Sequence, residues 1–143
     1  MIEYKGAVMR RFVSRDSKRD FYILYTLVFG VIAGFIYFQF AGNGKSLVWS
    51  HDGIPQHLNS LAYYGRYLRE VLHTVFVEHK LELPMWDMNI GYGSDILTTL
   101  HYYVIGDPLT LLSVFVPVDK TEVLYEVLIF LRIYLAGISF SIF

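Results

Sequence analysis

From Phe21 to Ala41 the chain reads FYILYTLVFGVIAGFIYFQFA, with no ionisable group other than tyrosine. Wound as a helix at 1.5 Å per residue, such a run spans roughly 30 Å, the thickness of a bilayer's hydrocarbon core. A cleaved signal peptide has a shorter apolar region, about 7 to 15 residues, and ends at a small-x-small site. Here the run is longer and Phe40 precedes Ala41, so the pattern predicts a retained transmembrane helix over 21–41. A second apolar stretch begins near Thr121 and continues through VLYEVLIFLRIYLAGISFSIF to the last residue. Asp119 and Glu122 resemble a capping box that would start this helix at the interface. An apolar span with no polar flank after it reads as the first part of a longer chain, cut inside a membrane segment.

Between these spans the periodicity changes. Pro55 suits a first helical position, and Leu58, Leu61, Leu68, Leu72, Val75 and Phe76 recur at steps of three and four as far as Lys80. That stripe fits either a helix lying along the membrane surface or an ordinary core-facing helix of an outer domain. The following LPMWDMNIGYGSD is punctuated by Pro84, Gly91 and Gly93, which predicts a shaped loop. Asp95 to Ile105 can form a short helix, and Asp107 with Pro108 makes an N-cap and first-turn pair for an apolar stretch through Phe115, ended by Pro117. The expected architecture is all-α and multi-pass: a head over 1–20, a membrane helix over 21–41, an outer segment with interfacial helices over 42–120, and a further membrane helix over 121–143.

Composition sharpens this picture in two respects. An apolar share of 55% exceeds that of ordinary soluble domains. Charge is distributed asymmetrically: Lys5, Arg10, Arg11, Arg15, Lys18 and Arg19 face Glu3, Asp16 and Asp20 in the head, leaving +3, whereas 42–120 has five basic against eight acidic residues, leaving -3. The positive-inside rule then puts the N-terminus in the cytoplasm and 42–120 on the outer face of the cell membrane. A basic surface of the kind nucleic acid requires is missing from the middle of the chain, so nucleic acid is not an expected partner. The absence of cysteine excludes thiolate metal sites, disulfides and Cys nucleophiles.

Two constellations carry candidate chemistry. In WSHDGIPQH, residues 49–57, Asp52 stands with His51, Gln56 and His57 directly after a membrane helix. Partial burial beside lipid makes a carboxylate a stronger base, fit to take a proton from an acceptor hydroxyl. Asp followed by Gly is equally the chemistry of a plain turn. Trp86, Asp87, Asn89, Tyr92 and Asp95 form the second group, mixing aromatic faces for a sugar's C–H patches with amides and carboxylates for its hydroxyls. Trp and Tyr also anchor proteins at headgroup depth whatever their function. Metal ligation has little support: His51 and His57, like His73 and His79, are six apart and fall on different helix faces, and no H-E-x-x-H occurs. A hard divalent cation among the outer aspartates stays open, and no cofactor is assigned. Arg132 lies inside the second apolar stretch, where an unpaired cation costs roughly 2.5 to 3.5 kcal/mol. Its partner would be a lipid phosphate or a carboxylate of another helix, since Glu126, six residues away, points elsewhere.

WSHDGIPQH, LPMWDMNIGYGSDILTTLHYYVIGDPLTLLSVFVP and LRIYLAGISF, in this order behind a first membrane helix, resemble the start of the bacterial YfhO family. The similarity covers nearly the whole chain after Lys45. That family comprises large multi-pass membrane proteins similar to GT-C glycosyltransferases and associated with glycosylation of lipoteichoic acid. The resemblance implies a sugar transferase that draws on a polyprenyl-phosphate carrier at the outer leaflet, with membrane lipid, a lipid-linked sugar and a teichoic-acid-like polymer as partners. It makes Asp52 the expected catalytic base, because GT-C enzymes keep an essential acid in the first outer loop. Gln56, His57, Trp86, Asp87 and Asp95 would shape the substrate pocket, and the chemistry of Arg132 suits the carrier phosphate. The alternatives are a non-catalytic envelope protein that binds lipid or polymer, and a transporter for a lipid-linked sugar.

Overall fold

The computed structural model describes the backbone of residues 2–142 and the side chains of residues 17–142; the predicted charges at Lys5, Arg10, Arg11 and Arg15 fall outside the described side chains. The chain divides into two compact units, Met1–Lys45 with Arg132–Phe143, and Ser46–Leu131.

The first unit is built on α1, Ile2–Gly42, and the end of α4, Thr121–Ile142. In α1 the apolar stretch Ser17–Gly42 is 26 residues long with no buried share, about 39 Å of helix offered to its surroundings. A helix is what such a sequence must form in lipid, because it satisfies every backbone N–H and C=O internally. The helix stops where Gly44 takes a left-handed φ of 63°. There the Lys45 N–H donates to Phe40 O at 2.9 Å and the Gly44 N–H to Ala41 O at 3.0 Å, a Schellman closure that only glycine adopts without strain. Within this unit Tyr25 stacks on Tyr134 with centroids 5.5 Å apart, and its hydroxyl donates to Tyr134 O at 3.1 Å. Thr26 Oγ1 meets the Tyr134 hydroxyl at 2.9 Å. Gly137 makes the approach feasible, because a Cβ there would collide with the Tyr25 ring and hydroxyl. Gly137→Ala is therefore expected to expel Tyr25 and cost about 1–3 kcal/mol, as overpacking does. A thermal-denaturation series on the full-length protein in detergent checks this, and an unchanged midpoint contradicts it.

The second unit carries both candidate constellations. A π-helical segment, Gly53–Leu58, runs directly into α2, Asn59–Phe76. After a loop, Trp86–Asp87 (β1) pairs antiparallel with Ser94–Asp95 (β2), in register Trp86 with Asp95 and Asp87 with Ser94. Then follow α3, Ile96–Leu100, a second π-helical segment, His101–Ile105, and a 3-10 helix, Pro108–Phe115. Leu61 and Tyr64 of α2 close over Ile96, Leu100, Val104, Leu124 and Leu128 to form the core. Gly65 lets α2 lie flush on the 3-10 helix, since a Cβ would stand 2.7 Å from Ser113 O.

The apolar stripe of α2 faces a protein core in its first half, through Leu61 and Leu68. Toward its end Leu72, Phe76 and Val77 are exposed, and the helix stops at Phe76, short of Lys80. The predicted Asp107 cap is present, its Oδ1 accepting from the Leu109 N–H at 2.9 Å, and Asp95, expected in the substrate pocket, caps α3 in the same way, its Oδ1 accepting from the Thr98 N–H at 2.7 Å. The Asp119 capping box gives way to a 3-10 turn, Val118–Lys120, in which Asp119 pairs with Lys120 at 3.9 Å. Pro117 fixes the chain direction there, so α4 inherits its first turn from the preceding one. Glu126 Oε1 accepts from both Ser46 Oγ and the Leu47 N–H at 3.0 Å, tying the start of this unit to α4.

Candidate functional site

Asp52 immediately precedes the first π-helical segment. Its backbone oxygen accepts from the N–H groups of both Gln56 and His57 at 3.2 Å, so the wide turn closes upon it. Gln56 folds back and donates from Nε2 to Asp52 Oδ1 at 3.0 Å. Its other end, Oε1, accepts from the Tyr103 hydroxyl at 2.9 Å. A carboxylate only accepts, so this amide orientation satisfies both neighbours at once. Tyr103 belongs to the second π-helical segment, and His57 lies edge-on to its ring with centroids 5.2 Å apart. Such segments make up well under 1% of residues in ordinary proteins and recur at functional sites. Here two of them meet at one hydrogen-bonded chain, Asp52 to Gln56 to Tyr103.

The partial burial expected of Asp52 is not provided by the described residues. Val48 and Gly53 turn inward beside it, a Cβ on Gly53 would crowd Val48 and Trp49, and the carboxylate is left exposed. Oδ1 is fixed and Oδ2 has no hydrogen-bond partner among the described residues. A carboxylate so held can accept a hydroxyl proton without reorganising first.

A second polar site lies further along α2. Asp87 Oδ1 accepts from the Asn89 N–H at 2.8 Å and from Asn89 Nδ2 at 2.9 Å, while Oδ2 accepts from the Tyr63 hydroxyl at 2.5 Å. These groups form a cleft of about 270 Å³ together with Arg66, Tyr67 and Glu70. The Tyr63 hydroxyl, then the Asn89 donors and the nearby Arg66 charge, hold the Asp87 carboxyl below its usual range. Burial, and then Asp87 itself, pushes the Tyr63 phenol up, so it stays a donor at any physiological pH. Because the folded Asp87 pKa is depressed, its stabilisation is present above the ordinary carboxyl value of about 4 and is lost as pH falls through the lower folded one. Tyr63→Phe removes the largest cause and is expected to move that acid limb to higher pH. A carboxyl-carbon NMR titration of Asp87 reads the shift, and an unmoved titration uncouples the pair.

The family model described as "Bacterial membrane protein YfhO" matches residues 24–143, a range that includes most of the first apolar helix, the second apolar helix and both sites. The chain belongs to this family. No curated protein and no solved structure matches it. It is thus a membrane protein of the YfhO family, and its apolar helices Ser17–Gly42 and Val118–Ile142 are each long enough to cross a bilayer.

In this YfhO-family chain the expected site residues are sorted into separate places. Asp52 and Gln56 are in contact, with His57 packed against Tyr103 beside them. Asp87 and Asn89 belong to the cleft, but Trp86 and Asp95 do not line it. Trp86 is exposed and donates from Nε1 to Met88 Sδ at 3.3 Å, beside Gly93 with its φ of 106°. The Asp95 carboxylate is engaged in capping α3, and the Thr98 donors hold it below the usual carboxylate range. Tyr92 is fully exposed, and Arg132 lies half-buried on α4 in the other unit. Sequence reasoning missed Tyr63, Arg66, Tyr67 and Glu70. Their signal was the i, i+3, i+4, i+7 spacing of polar side chains opposite the apolar stripe, which by itself also describes a solvated helix face.

Proposed function

We propose that this protein is the start of a membrane glycosyltransferase that moves a sugar from a polyprenyl-phosphate carrier to a hydroxyl of an extracytoplasmic envelope polymer such as lipoteichoic acid. The acceptor oxygen forms a bond to the anomeric carbon as the bond from that carbon to the phosphate oxygen breaks. Asp52 takes the acceptor proton, and the carrier phosphate departs as an anion that needs no protonation, so one carboxylate suffices where glycoside hydrolysis needs two. Gln56 and Tyr103 orient Asp52.

The observation that carries this reading is the exposed Asp52 carboxylate, with one oxygen held by Gln56 and the other open, directly after a membrane-length helix. Family membership is consistent with it. The basic residues ahead of the first span favour a cytoplasmic N-terminus, and with it an outer position for Asp52, on the side of the acceptor polymer.

The test is reconstitution of the full-length protein in vesicles, with a polyprenyl-phosphate-linked radiolabelled sugar and a teichoic-acid-type acceptor. Label should appear in the polymer only when the face bearing residue 52 is exposed to it. Altered carrier distribution across the bilayer without any polymer labelling would instead identify a transporter.

A further inference from the structure

We propose that the cleft between α2 and the β1–β2 turn holds one neutral, ring-sized polyol, either the sugar of the donor or a polyol unit of the acceptor. The choice of ligand rests on the sugar-transfer reading, while the cleft itself rests on geometry. Its volume of about 270 Å³ lies just below the range of about 300–1,000 Å³ for drug-sized ligands, enough for a single ring and too small for a stretch of polymer. Two carboxylates, Asp87 and Glu70, oppose one guanidinium, Arg66, an excess that repels a phosphate and suits a neutral molecule rich in hydroxyls.

The cleft is prepared on one side and open on the other. Tyr63 and Asn89 fix Asp87 in the floor, and the Tyr67 ring is held in place by its hydroxyl, which donates to Pro84 O at 3.1 Å. On the rim, Arg66 and Glu70 are exposed, and neither side chain has a hydrogen-bond partner among the described residues, although Arg66 lies 6.0 Å over the Tyr63 ring. The arrangement offers tyrosine faces to a ring's C–H patches, and unused donors and acceptors to its hydroxyls. It also separates the two carboxylates by task. Asp87, satisfied by three donors, is a poor base and a good acceptor, whereas Asp52 keeps an oxygen open. Their helical partners Tyr63 and Gln56 are two turns apart, roughly 10 Å along one continuous helical stretch, so one extended glycan can reach both.

The experiment is saturation-transfer NMR on the full-length protein in nanodiscs, with glucose, N-acetylglucosamine, glycerol and inorganic phosphate as probes. At least one hexose or glycerol should bind saturably. Glu70→Gln and Arg66→Gln should each weaken that binding by about tenfold, as loss of a charge-assisted hydrogen bond does. Glu78→Gln, outside the cleft, should leave it unchanged. In the transfer assay a rise in donor KM with Glu70→Gln assigns the cleft to the donor sugar, and a rise in acceptor KM assigns it to the polymer. Polyol binding indifferent to both variants, or phosphate binding that depends on Arg66, overturns the proposal. Its fate is separable from that of the transferase reading: polyol binding that is lost in Glu70→Gln, in a wild-type protein that transfers no sugar to the polymer, keeps the cleft and removes the enzyme.

Discussion

Asp52→Asn is expected to lower sugar transfer by roughly 10²- to 10⁴-fold, the range for loss of a positioned general base. The substitution is unusually clean at this position. Asparagine keeps the shape of aspartate, and its side-chain oxygen can still accept from Gln56 Nε2, so the chain to Tyr103 survives. Only the ability to take a proton is lost. Since Asp52 is exposed and packs against no core, protein level and thermal midpoint should stay at wild-type values. The loss should fall on kcat with KM little changed, because an interaction made in the transition state is the one removed. Retention of more than half the wild-type rate, at normal protein level, would take Asp52 out of the role. Gln56→Leu offers a graded comparison: it leaves the base in place but unoriented, and should cost less than Asp52→Asn.

How far the sequence alone reaches depends on the kind of residue. The two membrane-length helices were legible because lipid imposes a single solution on a long apolar run. The Asp107 cap was legible because a short side chain just ahead of a proline and an apolar stretch has few other uses. The direction of the α2 stripe was not, since Leu61 facing a protein core and Leu61 facing lipid give the same periodicity. The candidate site divides similarly. Asp52 and Gln56 are four apart, so local spacing brings them together, whereas Tyr103 is 47 residues beyond Gln56 and comes into register only through the folded unit. Asp87 was visible as an acid among aromatics, but its partner Tyr63 was hidden by a separation of 24 residues and by looking like any polar position on a helix. Asp95 shows the opposite error, a conspicuous acid whose carboxylate is engaged in a cap.

The second large effect belongs to Arg69, a residue that touches neither site. Its Nη1 donates to the carbonyls of Ser113 at 2.9 Å, Val114 at 3.3 Å and Val116 at 2.9 Å, where the 3-10 helix Pro108–Phe115 runs out; of these Ser113 O also accepts from the Val116 N–H at 3.3 Å. One turn earlier on α2, Gly65 rests against the Ser113 carbonyl. Together they fix one face of α2 on that segment, so the other face can hold Tyr63, Arg66, Tyr67 and Glu70 in place around the cleft. Arg69→Met keeps most of the side-chain length and removes every donor. The part-buried carbonyls of Val114 and Val116 then lose this donor at about 1–3 kcal/mol each, so a total of about 2–6 kcal/mol is expected. Arg69→Lys should recover part of this, since an ammonium donates but lacks the planar fork that reaches several carbonyls together. Denaturant or thermal unfolding of the full-length protein in detergent gives the order wild type, Lys, Met. If Met matched wild type, the anchor of α2 would have to lie in the apolar core alone, and cleft binding should survive it; if Met is unstable as expected, cleft binding should fail at temperatures where the membrane helices remain intact.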